Sequence, residues 1–227
     1  MKTVWLRNDG SDELLLFFNG WGMDHRIAAF LFGECGKSFT GDFLACHDYR
    51  SLLPETDFQQ MRQRYRRITL VAWSFGVWAA RYAVPAFVDR AIAINGTLNP
   101  VSDTSGISPA VFHATLSGYS DETRQRFNRR MCGGGEAFSL FETISPERET
   151  ADQMQELECL REYLEADFPG PVSWHYDHAI IGEKDLVFPA RHQLNAWQEV
   201  PRTVIPGMPH FPFNRLRNLT EVLACLS

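Results

Sequence analysis

The segment from Leu70 to Trp78 could present a serine hydroxyl as a nucleophile. It reads Leu-Val-Ala-Trp-Ser-Phe-Gly-Val-Trp, an apolar run that leads into a serine with a small residue two positions before it and two after it. A sharp turn from a strand into a helix lifts such a serine oxygen clear of the sheet, where a histidine can take its proton. Unpaired amides at the helix start also favour an oxyanion. We therefore predict that Ser74 is a nucleophile, with Ala72 in place of the usual first glycine.

Two later segments supply an acid and a base. Asp185 follows an apolar run in a polar turn, and His210 follows the last predicted strand, between Pro209 and Pro212. Prolines fix φ and push the residue before them into extended backbone, so this loop can hold an imidazole at one angle. The chain order Ser, Asp, His suits a triad built on a parallel sheet. We predict a triad of Ser74, Asp185 and His210; the alternative for Asp185 alone is that it caps the next helix.

An oxyanion formed at Ser74 would need two backbone donors. The amide of Phe75, directly after the serine, is one. Asn19-Gly20-Trp21-Gly22 follows an earlier strand, and its glycines allow the backbone to approach a ligand closely. The alternative is an ordinary turn at the end of a strand. We predict that the Trp21 amide is the second donor.

Short apolar runs that alternate with helical stretches predict an α/β fold with a mostly parallel sheet of about seven strands. The first two runs flank Asp9-Gly10, a turn signal, so we expect an antiparallel hairpin at the sheet edge. The remaining strands should be parallel, with crossover helices between them. The predicted strands are Thr3–Leu6, Glu13–Phe18, Asp42–His47, Ile68–Trp73, Arg90–Asn95, Trp174–Ile181 and Arg202–Ile205.

The longest stretch without a strand signal runs from 100 to 170 and is charged and helical in character. It closes with Phe168-Pro169-Gly170-Pro171, which is a loop signal. We predict an inserted helical cap over 100–170, with the core formed by 1–99 and 171–227. Within the cap, Cys132-Gly133-Gly134-Gly135 should separate two helices.

Composition limits the partners and the location of the chain. With 227 residues, 44% of them hydrophobic, the chain can bury one sizeable core. A net charge of −6 argues against nucleic acid or an anionic membrane as the main partner. The first apolar run, Leu14–Phe18, is too short for a signal core or a membrane span, so a cytoplasmic location is expected.

Several other residue groups are expected to be structural. The five cysteines are scattered and should act as small buried hydrophobes. His175 and His178 should point to opposite faces of one strand, which makes them a poor chelating pair. Trp73 and Trp78 should pack around the serine turn. Another basic cluster is expected to be a solvated surface; its members are Arg62, Arg64, Arg66 and Arg67.

A family resemblance rests on segments spread over most of the chain. These are Phe17-Phe18-Asn19-Gly20-Trp21-Gly22, Tyr49-Arg50, Val71 to Trp78, Asn95-Gly96-Thr97 and Arg126 to Gly133. Together they resemble the BioG type of pimeloyl-carrier-protein methyl ester esterase, an α/β-hydrolase. The family's elbow is also Ala-Trp-Ser, and its acid and base align with Asp185 and His210.

The resemblance implies hydrolysis of the methyl ester of pimeloyl-acyl carrier protein in biotin synthesis, through an acyl-enzyme. No metal or organic cofactor is implied. Acyl carrier proteins are acidic, and arginine side chains pair well with phosphate and carboxylate groups. The implied docking residues are Arg124, Arg126, Arg129 and Arg130, with Phe127 and Met131 against the acyl chain. The alternative is that this stretch is a solvated helix face, with Asp121 and Glu122 nearby.

Two other functions fit the same residues. A triad fixes a chemistry and leaves the acyl group open, so another small ester or thioester could be the substrate. A hydrolase-fold receptor, which binds or slowly turns over a ligand and signals by closing its cap, is the alternative outside enzymes.

Overall fold

The strands of the protein form one sheet. The structure is a computed structural model that describes residues 1–36, 38–84, 88–166 and 174–224. The strands are β1 (Lys2–Arg7), β2 (Glu13–Phe18), β3 (Asp42–His47), β4 (Arg67–Trp73), β5 (Arg90–Ile94), β6 (His178–Gly182) and β7 (Arg202–Ile205). Their order across the sheet is β1-β3-β2-β4-β5-β6-β7, and every neighbouring pair except β1 and β3 is parallel. The predicted mostly parallel sheet is therefore confirmed.

Helices connect the strands and fill the long interval between β5 and β6. A short 3-10 helix covers Phe58–Gln60. The α-helices are α1 (Arg26–Cys35), α2 (Met61–Arg64), α3 (Phe75–Ala83), α4 (Pro109–Gly118), α5 (Asp121–Cys132), α6 (Gly135–Thr143), α7 (Thr150–Glu165), α8 (Ala190–Ala196) and α9 (Leu219–Ala224). None of the helices in the described ranges is long and apolar enough to cross a membrane.

The predicted hairpin between the first two strands is wrong. β1 pairs antiparallel with β3 at the sheet edge, and β2 lies inside, parallel to β3 and β4. Burial explains the difference: every side chain of Leu14–Phe18 is buried, as an inner strand requires, whereas β1 is partly exposed along its length. The amide of Asp9 donates to the Asp42 carboxylate (2.8 Å), which directs the Asp-Gly turn towards β3.

The sixth strand begins later than predicted. β6 starts at His178 because the preceding aromatic side chains pack against the α3 side of the sheet. The indole of Trp174 donates to the Val84 carbonyl (3.1 Å), and the hydroxyl of Tyr176 donates to the Val77 carbonyl (2.8 Å). These two contacts hold the segment as a loop that precedes the strand, with both aromatic side chains buried.

The later start also corrects the expectation that His175 and His178 share one strand. His175 precedes β6 and is exposed, whereas the His178 ring lies 2.9 Å from the Thr203 hydroxyl on β7. Burial lowers the pKa of His178. A neutral imidazole with a hydroxyl partner agrees with the predicted structural role of His178.

The basic cluster before β4 forms ion pairs with nearby acids. Its side chains are 47% to 63% exposed and lie at the amino end of β4, opposite Ser74. In three of the pairs both side chains are exposed or partly exposed, so water and salt screen the attraction, which agrees with the predicted solvated surface. The carboxylate of Asp42, in the remaining pair, is buried. The pairs are Arg62–Asp89, Arg64–Asp42, Arg66–Asp12 and Arg67–Glu13.

The helices α4 to α7 form a helical insertion between β5 and β6. The glycines separate two of its helices as predicted: α5 ends at Cys132, Gly133 and Gly134 have φ of 66° and 84°, and α6 begins at Gly135. Positive φ is a conformation that glycine adopts without strain. The segment 168–171, predicted to close the cap, lies outside the described residues.

The described cysteines are all free. Cys35, Cys46 and Cys132 are buried and Cys159 is partly exposed, while Cys225 lies outside the described residues. Burial raises the pKa of Cys132 to about 12, so its thiol stays protonated at neutral pH. The three buried cysteines thus act as small hydrophobes, as expected.

Gly76 allows α3 to start directly against the ends of neighbouring strands. A Cβ at this position would lie 2.5 Å from the carbonyl oxygens of both Phe18 and Asn19. Because these are backbone atoms, no side-chain rotation could relieve the overlap. The second small residue of the serine turn is therefore required by packing.

Gly76→Ala should destabilise the protein by about 3 kcal/mol through overpacking. Gly33→Ala in α1 is the matched control, since a Cβ there has no atom within 4 Å, and removing a helical glycine should stabilise by about 0.5 to 1 kcal/mol. Urea unfolding followed by circular dichroism measures both. Equal stability of the two variants would contradict the packing argument.

Candidate active site

Ser74 lies in a strained turn between β4 and α3. Its backbone adopts φ 59° and ψ −128°, a conformation that a residue with a side chain rarely takes. The amide of Ser74 donates to the Ile94 carbonyl at the end of β5 (2.9 Å), which fixes the turn to the neighbouring strand. This turn directs the Ser74 hydroxyl away from the sheet, as expected for the predicted nucleophile elbow.

The structure brings together the three residues predicted as a triad. His210 Nε2 lies 3.0 Å from Ser74 Oγ, and His210 Nδ1 lies 2.9 Å from Asp185 Oδ2. Exposure of the three residues is 5% for Ser74, 5% for Asp185 and 2% for His210. A buried imidazole with one nitrogen on a hydroxyl and the other on a carboxylate can remove the hydroxyl proton and hold the resulting positive charge.

The Asp185 carboxylate is fixed by bonds to both of its oxygens. Oδ1 accepts from the amides of Val187 and Phe188, each at 2.8 Å. Oδ2 accepts from the Gln193 side chain at 3.0 Å as well as facing His210. The amides it binds precede α8, so Asp185 orders its own loop and does not cap the helix.

Two side chains hold the main chain of the histidine loop. The Trp73 indole donates to the His210 carbonyl at 2.9 Å. The Asn95 amide donates to the carbonyls of Pro209 (2.9 Å) and His210 (3.0 Å), and its oxygen accepts from Gly182 N (2.6 Å). Asn95 thus connects the ends of β5 and β6 to the histidine, and Trp73 does more than the packing predicted for it.

Aromatic rings enclose the imidazole. The Phe188 ring stacks on the His210 ring with centroids 5.7 Å apart and planes 10° apart, and the Trp73 ring lies 5.6 Å away. Sequence reasoning missed the supporting roles of Gln193, Asn95 and Phe188. Of these three residues, Asn95 alone had a sequence signal. Asparagine adopts positive φ more often than most residues, and Asn95 follows a buried strand with a φ of 45°.

The two residues predicted to supply oxyanion donors lie beside Ser74. Trp21 and Phe75 both line the same pocket as Ser74, and neither amide N–H has an acceptor among the described residues. Gly20 brings the first turn close, since a Cβ on it would lie 3.2 Å from Ser74 Cβ. Free amides beside a nucleophile are the donors that a developing oxyanion needs.

The pocket beside Ser74 is mainly apolar and opens towards the helical insertion. Side chains of α4, α5 and α7 form its walls, and a second groove between α4 and α5 shares part of those walls. We call this second surface the outer groove; Val111, Thr115, Tyr119, Arg126, Phe127 and Arg130 line it. The apolar lining of the inner pocket includes Ile107, Val111, Phe112, Phe127, Met131 and Leu157.

The four arginines predicted to dock a partner do not share one surface. Arg124 donates to the Thr150 hydroxyl (3.2 Å), and Arg129 lies over the Phe138 ring, 4.8 Å from its centroid. Both therefore point away from the outer groove. The helical period separates them from the other two arginines, which are four residues apart on one face.

Arg126 and Arg130 line the outer groove. Arg126 is exposed and pairs with Glu122 one turn earlier. Arg130 donates to the Leu186 carbonyl (2.9 Å from Nε) and also lines the inner pocket. Phe127 lies between them and packs edge-on against the Trp21 ring (5.3 Å). Cationic side chains thus surround the outer opening of an apolar pocket.

Comparison with known proteins identifies the family. A family model described as "BioG: Pimeloyl-ACP methyl esterase BioG" matches residues 1–220. The chain belongs to the BioG family. Membership supports a hydrolase or esterase role in biotin synthesis, as the sequence resemblance implied.

One solved structure agrees with this assignment, and one curated relative has a different printed name. The crystal structure of BioG from Haemophilus influenzae superposes with a TM-score of 0.84 at 30% identity, covering 97% of this chain and 98% of that one. A protein of Bacteroides fragilis (strain 638R) named malonyl-[acyl-carrier protein] O-methyltransferase is 42% identical over 192 residues, which are 82% of this chain. The match covers only 37% of that longer protein.

More distant structures confirm the predicted α/β-hydrolase fold. The esterase RhEst1 from Rhodococcus sp. ECU1013 has a TM-score of 0.64 at 12% identity, covering 99% of this chain and 94% of that one. A lipase-esterase related protein from Clostridium acetobutylicum has a TM-score of 0.62 at 15% identity, covering 98% of this chain and 97% of that one.

In the described part of the chain, no group of three or more His, Cys, Asp or Glu side chains could hold a metal ion.

Asn95→Ala should destabilise the protein by about 2 to 4 kcal/mol, because it leaves Gly182 N and the Pro209 carbonyl buried without a partner. Asn128→Ala on α5, which lines a separate groove, is the control and should be within about 0.5 kcal/mol of wild type. Chemical denaturation measures both. A wild-type midpoint for Asn95→Ala would remove Asn95 as the support of the histidine loop.

Proposed function

We propose that the protein is a serine carboxylesterase that hydrolyses the methyl ester of pimeloyl-acyl carrier protein. The observation that carries the proposal is the placement of His210 between Ser74 Oγ (3.0 Å) and Asp185 Oδ2 (2.9 Å) beside an apolar pocket. Membership of the BioG family supports the choice of substrate. The products are methanol and the free carboxylate on the carrier protein.

Acylation begins when Ser74 Oγ attacks the ester carbonyl. His210 Nε2 takes the hydroxyl proton as the bond forms, and Asp185 holds the imidazolium through Nδ1–H. The carbonyl oxygen becomes an oxyanion and accepts from the amides of Trp21 and Phe75. His210 then returns the proton to the methoxy oxygen, and methanol leaves.

Water completes the reaction at the same residues. His210 takes a proton from the water as its oxygen attacks the acyl-enzyme, the oxyanion forms again between the two amides, and the proton passes to Ser74 Oγ. The acyl group leaves as a carboxylic acid that ionises at neutral pH. Aspartate and histidine therefore act twice, and the enzyme ends in its starting protonation state.

The two connected surfaces fit the two ends of the substrate. The acyl chain would lie in the inner pocket against Phe127 and Met131, and the phosphopantetheine arm would leave through the outer groove. Arg126 and Arg130 would then face the phosphate and the acidic carrier protein. The name of the Bacteroides relative points to a related group, because it describes methyl transfer to a malonyl group on a carrier protein.

The position of docking can choose between the two carbonyl groups of the substrate. When the carrier is held at the outer groove, the arm and the acyl chain extend towards Ser74, and only the distal ester reaches the nucleophile. The thioester near the carrier remains in the outer groove. If the length of the arm and acyl chain selects the ester over the thioester in this way, no specific contact with the methyl group is needed.

The purified protein should release methanol and free carboxylate from pimeloyl-acyl carrier protein methyl ester, and Ser74→Ala should reduce turnover by a factor of about 10⁴ or more, since it removes the nucleophile. Gas chromatography of methanol and mass spectrometry of the carrier protein measure the two products. A small methyl ester serves as the second substrate.

Each outcome of this assay separates the alternatives. No cleavage of the carrier-bound ester, with the small ester still hydrolysed through Ser74, would discard the substrate and keep the esterase. Less than one turnover together with tight ligand retention would favour the receptor. Rapid, multiple turnover that requires Ser74 supports the proposal.

Reversing the charge at the outer groove with Arg126→Glu and Arg130→Glu should reduce kcat/KM for the carrier-bound ester at least about tenfold, because the partner is acidic. The small methyl ester should lose several times less than the carrier-bound ester, and any loss there reflects Arg130, which also lines the inner pocket. Arg62→Glu with Arg66→Glu is the matched control, since it changes the charge equally at the opposite end of β4.

Raised salt gives an independent measure of the same contact. Added NaCl should slow the wild-type enzyme with the carrier-bound ester and have little effect on the charge-reversed enzyme. Equal losses on both esters, or an equal loss in the control variant, would remove the outer groove as the docking site.

A further inference from the structure

The turn that carries the Trp21 amide is bonded to the helical insertion at four successive residues. We call residues Gly20–Asp24 the oxyanion turn. Every residue from Trp21 to Asp24 has a hydrogen bond to residues 147–156, which comprise the three residues before α7 and its first two turns. Besides those of Gly22, the bonds are Trp21 Nε1 to the Gln153 carbonyl (2.7 Å), Arg148 Nη1 to the Met23 carbonyl (3.2 Å) and Glu147 N to Asp24 Oδ2 (2.8 Å).

Gly22 is held on both sides by side chains of α7. The Gln153 side-chain amide donates to the Gly22 carbonyl (2.7 Å), and the Glu156 carboxylate accepts from the Gly22 N–H (3.1 Å). Gly22 has a φ of 76°, and a Cβ on it would be 3.4 Å from the Gln153 amide. The two contacts fix the peptide groups that flank Gly22, next to the Trp21 amide.

The Gln153 side chain is itself held in one orientation. It is 2% exposed, and its oxygen accepts from the Tyr119 hydroxyl (2.7 Å). Burial raises the pKa of Tyr119, so the hydroxyl remains protonated and can donate at neutral pH. With the oxygen bound to Tyr119, the amide nitrogen must face the Gly22 carbonyl.

Glu156 connects the same turn to the end of β3. Its carboxylate is fully buried, accepts from the Tyr49 amide (2.9 Å) and pairs with Arg148 (2.5 Å). Burial raises the pKa of Glu156, and the Arg148 charge opposes this shift. The Tyr49 hydroxyl in turn donates to the Asn19 carbonyl (2.5 Å), so the turn is anchored just before its first residue.

Two backbone bonds also support the turn. Asn19, which follows β2, donates its N–H to the Cys46 carbonyl of β3 (2.9 Å). Met23 N donates to the Gly20 carbonyl (3.3 Å). The Met23 bond is made to the peptide group that contains the Trp21 N–H, and the remaining bonds that hold Trp21 to Met23 come from α7 and the stretch before it.

We propose that Gln153 is a positioning residue that holds the Trp21 amide at the oxyanion of the ester reaction. The proposal rests on the proposed function, because it assigns Gln153 a part in that same site. Catalytic donors act only when held within about 0.5 Å of the productive geometry. Loss of the Gln153 bond releases one side of the turn and weakens one of two oxyanion donors.

Gln153→Met tests the proposal, because it keeps the length of the side chain and removes its donor and acceptor. With a small methyl ester, kcat should fall by about 10-fold to 100-fold with KM within about twofold, which is less than the loss from deleting an oxyanion donor outright. Gln155→Met is the matched control: it is exposed on the same helix and contacts Arg50, and it should keep wild-type kcat.

Two readouts distinguish positioning from general structural damage. A trifluoromethyl ketone, which forms a tetrahedral oxyanion with Ser74, should lose affinity by the same factor as kcat/KM. Tyr119→Phe should give a smaller loss in kcat, and the double variant should be no slower than Gln153→Met alone, because both residues act through one bond.

Amide hydrogen exchange over residues 19–24 tests the turn without any substrate. Exchange should be faster in Gln153→Met than in wild type and unchanged in Gln155→Met. Wild-type kcat in Gln153→Met, or wild-type exchange in this segment, would overturn the proposal. If Ser74→Ala retained activity, the proposed function would fail instead, and the exchange result would still decide whether Gln153 holds the turn.

Discussion

The site depends on a close backbone approach at the turn that contains Ser74. Ser74 adopts a φ of 59°, and a Cβ on Gly76 or Gly96 would lie within 2.5 Å of neighbouring backbone oxygens. The start of α3 is thereby pressed against the ends of β2 and β5. These close approaches fix Ser74 relative to His210 and the oxyanion turn, so a small displacement of the elbow would change both distances.

Sharp turns occur at the same edge of the sheet on three inner strands. Asp48, Ser74 and Asn95 follow β3, β4 and β5, and all three have φ between 45° and 61° without being glycine. Such backbone is strained, and it persists because each residue has a partner. Asp48 pairs with Arg50 (2.6 Å), Ser74 meets His210, and Asn95 binds the histidine loop. The strained backbone therefore lies at the sheet edge that carries Ser74, where each of these side chains has a partner.

Local patterns were sufficient to predict some of the site and not the rest. Ser74, Asp185 and His210 each follow an apolar strand with a turn signal, so their order alone brings them to one edge. Strand pairing is a long-range choice, and the Asp9-Gly10 signal gave no information on whether β1 joins β2 or β3. The helical period places Gln153 on one face with Leu157 and Leu160, and Gln155 on the exposed face. Gln153 is distant in sequence from the turn that it holds, so its partner could not be predicted.

The helical insertion contacts both the histidine loop and the oxyanion turn. At the end of α5, the Met131 carbonyl accepts from Phe211 N (2.9 Å) beside the histidine, while α7 holds the turn that carries the Trp21 amide. The same insertion supplies Phe127 and Arg130 to the outer groove. Any change that moves these helices to admit a different acyl group therefore also moves the proposed base and an oxyanion donor. In the proposed reaction, substrate choice and chemical rate are thus linked through the packing of α5 and α7, because the same helices line the inner pocket and contact the segments that hold the proposed base and oxyanion donor.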